Sequence, residues 1–519
     1  MPTVPLRPVL STVLRTVAAV CAAVAALGAC GSRHDAAQPG ASLGACRVDG
    51  IAREMRCGQI EVPENPDRPD ARKLTIHFTV APASATHRAD DAIFVIAGGP
   101  GQSAQSVAGM VLPLFESLNA RRDVVFIDQR GTGASAPLDC RTPHEAEPLA
   151  DAFDTDQTVA RLHACRDKLS AQGIDLAQYA TWIAVGDFDR VRATLGYASV
   201  DLWGASYGTR AALEYARQFP SRVRTLVLDG VAPAAMILPA SFAQDTDAAL
   251  NAWAQACAAD AHCRARTPDL RASVDALLAR AATRPEITVV DPLDGRANRV
   301  PLTREAVIGL LRAPMYVPAA GAVLPYALAQ AGNGDYSALA ATAAMLGGVT
   351  QQGFSEGMHF SVICAEDLPR ADAAVRAAIA STRIGTTLLD QYARICAGWP
   401  VRPVPAAFYA PPKIDAPVLM LSGGIDPATP PRHAQALMPG LPHALHVVAA
   451  HRGHGQSGQA CGPELIRQFI ASASFADLNT DCLTDAPMPS LFAPPGATAP
   501  AVQEAQPAPT PVPTTKPTR

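Results

Sequence analysis

Six short apolar runs recur along the chain, each leading into a glycine-rich or polar turn. Ala92–Ile96 leads into Gly98-Gly-Pro-Gly101, Val124–Ile127 into Asp128-Gln-Arg-Gly131, Val200–Trp203 into Gly204, and Leu226–Leu228 into Asp229-Gly230. Further on, Val418–Leu421 leads into Ser422-Gly-Gly424 and Leu445–Val448 runs toward His451. Runs that are apolar at every position, rather than at alternate ones, mark strands buried on both faces of a parallel sheet. Helical periods such as Thr209–Arg217 lie between several of them. The pattern predicts an α/β fold, with a mostly parallel sheet and helices on both faces.

The alternation breaks across residues 236–412, where helical stretches dominate: Asp245–Cys257, Leu270–Ala282, Arg304–Leu311 and Ala371–Ile379. This divides the sheet domain into a first part, 45–235, and a second part, 413–485. A helical insertion between strands of such a sheet reads as a cap over the strand ends, where open α/β sheets bind their ligands. A sheet domain with an added element also suits 519 residues, more than one compact core accommodates.

The two ends do not belong to the fold. Residues 1–29 carry Arg7 and Arg15 ahead of the apolar run Val17–Ala29, the arrangement of an export signal and too short for a confident membrane span. The run ends Leu27-Gly28-Ala29-Cys30, which resembles the lipobox of bacterial lipoproteins. Cys30 is therefore the expected lipidation site; an ordinary secretory signal with an incidental cysteine is the plainer alternative, and both export the protein. Residues 30–44 form a polar spacer, and 486–519, rich in Pro, Ala and Thr, are expected to be a disordered tail. The expected location is the periplasm or cell surface.

Charge and cysteine content narrow the field. The net charge is −4 with no basic stripe, so neither nucleic acid nor an anionic membrane surface is an expected partner; membrane contact would come only through the lipid. Of 12 cysteines, Cys21 leaves with the signal and Cys30 carries the lipid, so ten remain, an even number that suits an oxidising compartment. Sequence does not set their connectivity, but proximity suggests Cys46–Cys57, Cys140–Cys165, Cys257–Cys263, Cys364–Cys396 and Cys461–Cys482. A zinc site is disfavoured, because the cysteines are scattered and no Cys-x-x-Cys occurs.

The chemistry centres on Gly204-Ala-Ser206-Tyr-Gly208, a G-x-S-x-G that follows an apolar strand and opens a helix. In that setting the serine oxygen is thrust above the sheet edge as a nucleophile, and the helix N-terminus beneath favours developing negative charge. A serine hydroxyl needs a base and an orienting acid. Asp426 follows the Val418–Leu421 strand and His454 the next one, in the order Ser, Asp, His that this turn calls for. His451 is a rival base; His454 is preferred because Gly453 and Gly455 let its loop swing over Ser206. The tetrahedral oxyanion needs donors, expected from the backbone N–H of Tyr207 and from the Gly98-Gly99-Pro100-Gly101 loop, specifically Gly99. That loop lacks the Gly-Lys-Ser/Thr of a phosphate cradle.

Taken together, Gly98-Gly-Pro-Gly-Gln-Ser103, Asp128-Gln-Arg-Gly-Thr-Gly133 with Ser135, Gly204-Ala-Ser-Tyr-Gly208, Gly423-Gly-Ile-Asp426 and Gly453-His-Gly455 resemble the prolyl and tripeptidyl aminopeptidase branch of the α/β-hydrolases. The resemblance runs over residues 45–485, including Asp260 between Cys257 and Cys263 and Cys364-Ala-Glu-Asp367, and is nearest to exported bacterial tripeptidyl types. Ala97 departs from it, standing where many members carry histidine or proline before the glycine pair. The resemblance implies the same triad, a helical cap, no metal or organic cofactor, and a peptide substrate cleaved from a free N-terminus. It also makes Glu366 and Asp367 candidates to receive the substrate ammonium, with a solvated acidic pair on a helix end as the alternative. Three functions remain in play: an aminopeptidase, a carboxylesterase or lipase with the same triad, and a non-catalytic binding module, which the intact Ser, Asp and His argue against. Neither the oligomeric state nor the preferred peptide length follows from these residues.

Overall fold

The computed structural model describes residues 43–141, 153–292, 295–351 and 353–494; Cys30, the signal segment, nearly all of the spacer and most of the C-terminal tail lie outside them. Among the described residues eleven strands form: β1 (Gly44–Cys46), β2 (Met55–Pro63), β3 (Lys73–Ala81), β4 (Asp91–Ile96), β5 (Asp123–Ile127), β6 (Ser199–Ala205), β7 (Val223–Asp229), β8 (Glu286–Val290), β9 (Ala297–Pro301), β10 (Val418–Gly423) and β11 (Ala444–Ala449). Nine of them make one sheet in the order β1-β2-β3-β5-β4-β6-β7-β10-β11. Pairing is parallel from β5 through β11 and antiparallel across β1, β2, β3 and β5.

The continuous apolar runs are explained by what each strand faces. In β4, Ala92, Phe94 and Ile96 enter one hydrophobic layer while Ile93 and Val95 enter the opposite one. In β10, Val418 and Met420 point one way and Leu419 and Leu421 the other. The helices Thr155–Ala171, Thr181–Leu195 and Tyr207–Gln218 cover the first layer through Leu162, Phe188 and Tyr215. Gly462–Ser472 covers the second through Leu465, Ile466, Phe469 and Ile470. A strand covered on both sides has no polar face to display, so its period-2 alternation vanishes from the sequence.

Strands β1 to β3 were not legible as apolar runs. They form the antiparallel side of the sheet, with β1 at its edge, and β2 alternates buried Met55, Gly58 and Val62 with exposed Arg56, Gln59 and Glu61. The insertion also differs from an all-helical cap. Its helices Ala240–Ala259, Leu270–Ala281 and Arg304–Met315 close around a second apolar cluster that includes Trp253, Leu277 and Leu311. The hairpin β8–β9 packs on the same cluster through Ile287, Val289 and Val300. Its strand alternation is visible in Glu286-Ile-Thr-Val-Val290 once the flanking helices are set aside. The helix Glu356–Glu366 returns to the sheet domain, and Met358, Phe360, Val362, Ile395 and Trp399 belong to the first apolar layer, whereas Ile379, Ile384 and Leu389 join the cap cluster.

Five disulfides join the pairs that proximity suggests: Cys46–Cys57, Cys140–Cys165, Cys257–Cys263, Cys364–Cys396 and Cys461–Cys482. They point to a compartment outside the reducing cytosol. No helix among the described residues is long and apolar enough to cross a membrane. Cys364–Cys396 closes 32 residues and staples Glu356–Glu366 to Thr387–Cys396. A loop of that length confers about 3–4 kcal/mol by chain entropy. The double substitution Cys364→Ser/Cys396→Ser should therefore lower the unfolding free energy by about 2–5 kcal/mol in denaturant titrations. Equal midpoints for the variant and the oxidised parent would contradict this.

Candidate active site

The strand order reverses at β4: the chain passes from β4 to β5 on one side and then returns to β6 on the other. The crevice above such a reversal is where doubly wound sheets bind ligands. Two loops of interest open there, Gly98–Gly101 after β4 and Ser206 after β6. Ser206 has φ 55° and ψ −125°, a left-handed backbone that costs a non-glycine residue about 1–3 kcal/mol. Three contacts hold it: Ser206 N–H donates to the Asp229 carbonyl at 2.8 Å, while Thr209 N–H and Thr209 Oγ1 donate to the Ser206 carbonyl at 2.9 and 2.6 Å. The turn must be glycine-lined because β4 passes so close. A Cβ on Gly208 would overlap the Ile96 carbonyl oxygen, and one on Gly98 would lie 3.1 Å from the Ser206 Cβ.

Asp426 and His454 come from the loops after β10 and β11, and the structure brings them together: His454 Nδ1 lies 2.7 Å from Asp426 Oδ2. Asp426 Oδ1 also accepts the backbone N–H groups of Ala428 and Thr429 at 2.8 and 3.0 Å, and Oδ2 accepts the Thr429 hydroxyl at 2.8 Å. Burial opposes its charge, but His454 and these donors outweigh burial and hold the carboxyl below its usual range. An ionised carboxylate only accepts, so the His454 proton sits on Nδ1 and Nε2 keeps a free lone pair. Burial likewise disfavours the charged ring of His454, yet the Asp426 carboxylate raises its pKa above the ordinary imidazole value. His451 is exposed.

The ring of His454 shares a wall with Ser206. The Asp229–Gly230 turn, whose carbonyl anchors Ser206, lies against His454: a Cβ on Gly230 would sit 3.1 Å from His454 Cε1. The Asp229 carboxylate accepts Gln456 N–H at 2.8 Å and Ser457 N–H at 2.6 Å, which fixes the histidine loop. On the cap side, the Tyr316 carbonyl accepts His454 N–H at 2.8 Å, and the Tyr316 ring stands edge-on to the imidazole at 5.1 Å. The His454 side chain keeps 19% exposure, enough to meet a ligand. Sequence reasoning missed Asp229, Thr429 and Tyr316; Asp229 lay in a quoted turn at the end of an apolar run and Thr429 is a turn residue three positions after Asp426, while Tyr316 carried no signal.

The Asp128-Gln-Arg-Gly-Thr-Gly133 motif is a brace. Asp128 accepts Ser103 Oγ at 2.7 Å, Gln105 N–H at 3.1 Å and Ala134 N–H at 3.1 Å, tying the Gly98–Gly101 loop to its neighbour. Arg130 forms a buried bidentate pair with Asp187 at 2.7 and 2.9 Å. Tyr207 is buried, and its hydroxyl meets Thr181 Oγ1 at 2.6 Å and Gln129 Nε2 at 3.1 Å. Being first in its helix, Tyr207 has a backbone N–H with no partner due within the helix.

Glu366 and Asp367 do not form an open receptor for an ammonium, nor a solvated pair. Both are fully buried. Arg210, on the helix that Ser206 opens, meets Asp367 at 2.9 and 3.2 Å and Glu366 at 3.3 Å. Thr181 supplies N–H to Glu366 Oε1 at 2.6 Å and its hydroxyl to Oε2 at 2.9 Å. Burial pushes the Glu366 carboxyl up to about 7 against the pull of Arg210. With every oxygen taken, the pair is the internal counter-charge of Arg210 and locks the helix after Ser206 to Glu356–Glu366. Among the described residues no cluster of three or more His, Cys, Asp or Glu side chains is placed to hold a metal ion.

The alpha/beta hydrolase fold profile matches residues 91–286, which hold the glycine loop and Ser206, and the TAP-like protein profile matches 380–482, which hold Asp426 and His454. The serine protease Hip1 of Mycobacterium tuberculosis is 32% identical over 223 residues, covering 40% of this chain and 42% of that protein. The tripeptidyl aminopeptidase of Streptomyces lividans is 27% identical over 219 residues, covering 40% and 41%. Carboxylesterase B of Mycobacterium tuberculosis is 28% identical over 228 residues, covering 41% and 43%. The chain thus matches about two-fifths of the length of these curated relatives. Sheet order, serine turn and both profile matches agree: the chain is an α/β-hydrolase, similar over residues 380–482 to the TAP-like proteins.

Proposed function

We propose that this protein is an exported serine aminopeptidase that releases short peptides from a free N-terminus through an acyl-enzyme on Ser206. One observation carries the reading: a histidine paired with a buried, ionised aspartate stands against the turn that holds Ser206 in its left-handed backbone. His454 Nε2 takes the hydroxyl proton as Ser206 Oγ bonds to the substrate carbonyl carbon. Backbone N–H groups of Tyr207 and Gly99 receive the oxyanion, and the tetrahedral species collapses as His454 returns the proton to the leaving amine. Water then repeats the cycle on the acyl group and frees Ser206.

Peptide rather than ester as the natural substrate is supported by the similarity to a serine protease and a tripeptidyl aminopeptidase. Ester hydrolysis is the second reading, favoured by the similarity to a carboxylesterase. Burial of Glu366 and Asp367 leaves the amine contact unassigned. The deciding experiment compares a free-amine tripeptide anilide, its N-acetylated form, a proline anilide and a butyrate ester at matched concentration. Preference for the free amine supports the peptidase; equal cleavage of blocked and free peptides, or ester turnover alone, would reverse the order of the two readings.

For location, the reading adds lipid at Cys30. Cys30→Ser should move the protein from the membrane to the soluble fraction of its native host; unchanged membrane retention would refute the anchor.

Ser206→Ala should lose labelling by a fluorophosphonate probe and lower kcat by about 10⁴–10⁶-fold at unchanged Tm. Asp426→Asn and His454→Ala should fall by several orders of magnitude, and His451→Ala should stay active. Persistent labelling of Ser206→Ala, or an inactive His451→Ala beside an active His454→Ala, would overturn the assignment. The base must be neutral to accept a proton, so activity falls as pH drops through the raised pKa of His454. The kcat/KM profile on an uncharged substrate should reach half-height above about 6.5, the ordinary imidazole value; a midpoint below it would contradict the Asp426 contact.

A further inference from the structure

The glycine loop that would supply an oxyanion donor has little of its own to hold it. Of Gly98-Gly-Pro-Gly101, only proline has a side chain, and glycine backbones are the least restrained of all. At its far end, Ser103 and Gln105 are pinned by Asp128. Its outer flank is met by the chain from the cap. Ser103 N–H donates to the Gly353 carbonyl at 2.9 Å, Ser355 N–H donates to the Gly101 carbonyl at 2.8 Å, and Gln102 and Phe354 form an antiparallel bridge.

One side chain reaches the middle of the loop. His359, on the helix Glu356–Glu366, places Nδ1 at 2.9 Å from the Pro100 carbonyl oxygen and Nε2 at 3.1 Å from the Tyr392 hydroxyl. A carbonyl only accepts, so the ring carries its hydrogen on Nδ1. Burial lowers the pKa of His359 to about 4, which keeps the ring neutral. Nε2 then offers a lone pair and accepts the Tyr392 O–H, itself kept protonated because burial raises its pKa to about 12. The resulting line, Tyr392 O–H to His359 to the Pro100 carbonyl, fixes the tautomer and aims the donor. The rings of Phe354, Phe360 and Tyr392 flank the imidazole at 5.3, 5.0 and 5.8 Å and leave it little freedom to turn.

We propose that His359 is a positioning residue for the oxyanion loop: its Nδ1–H, donated to the Pro100 carbonyl, holds Gly98–Gly101 where Gly99 N–H meets the developing oxyanion. The proposal rests on the hydrolase reading above and adds a residue whose hydrogen bonds go to Pro100 and Tyr392 and to none of the three triad residues. It works through preorganisation. Losing an oxyanion donor outright costs about 10²–10³ in turnover, and a donor left loose costs less. The effect must fall on kcat, because the charge appears only in the transition state.

The test uses p-nitrophenyl acetate, too small to depend on the cap for binding, alongside a peptide anilide. His359→Phe keeps a flat ring without a donor and should lower kcat about 10–100-fold on both substrates, with KM nearly unchanged. His359→Asn keeps an N–H donor near the Nδ1 position and should recover most of that loss. Tyr392→Phe removes the aiming hydrogen bond and should lower kcat about 3–10-fold, the worth of one such bond; this arm decides the matter if His359→Phe does not fold. Four results would overturn the proposal: unchanged kcat in His359→Phe, or in Tyr392→Phe when it stands alone; a loss confined to the peptide or to KM, which would make His359 a substrate contact; equal losses in Phe and Asn, which would make it packing; or a loss matched by a fall in Tm. Failure of the hydrolase reading would look different, as absence of wild-type turnover on both substrates, and would remove the proposal with it.

Discussion

Asp229, the last residue of β7, ties the serine turn and the histidine loop to one frame. Its backbone carbonyl accepts Ser206 N–H, and its carboxylate accepts the N–H groups of Gln456 and Ser457, just past His454. A fully buried carboxylate is costly unless its oxygens are occupied, and here backbone donors occupy both. The left-handed backbone at Ser206 persists because this frame over-determines it. Movement of β7 relative to β6 or of the loop after β11 would therefore be felt at Ser206 and His454 together.

The charges around the site form a scaffold of buried pairs. Arg130 with Asp187 and Arg210 with Glu366 and Asp367 are removed from water. Such pairs add little net stability over apolar packing, but losing one partner strands the other and costs about 3–5 kcal/mol. Their value lies in geometry. Arg210 joins the helix that Ser206 opens to the helix that carries His359, so nucleophile and oxyanion loop are referenced to the same rigid pieces.

The insertion contributes to the site as well as covering it. Tyr316 holds His454 through its carbonyl and ring, and Gly353 to His359 hold the glycine loop. The cap cluster and the sheet domain have separate apolar cores, yet the helix Glu356–Glu366 packs into the sheet's own layer and is stapled by Cys364–Cys396, while Ile379, Ile384 and Leu389 between them join the cap cluster.

Much of this was legible from local sequence. Buried parallel strands announce themselves as near-continuous apolar runs, and the serine turn needs Gly208 because the end of β4 passes too close for a side chain, and Gly204 because the Gly208 carbonyl does. Asp426 and His454 could be placed because each follows a strand of the same sheet, in chain order. The antiparallel strands β1 to β3 and the hairpin β8–β9 escaped because polar positions along the strand, or a short alternation among helices, leave a weak local signal. What only the tertiary structure decided were pairings between segments far apart in the chain: Asp229 with Gln456, Tyr316 with His454, His359 with Pro100, and Arg210 with Glu366 and Asp367. The last of these reversed the reading of an acidic pair from open receptor to internal counter-ion. Sequence carries a residue's chemistry and its local period, whereas a carboxylate's availability depends on which cation the fold brings against it.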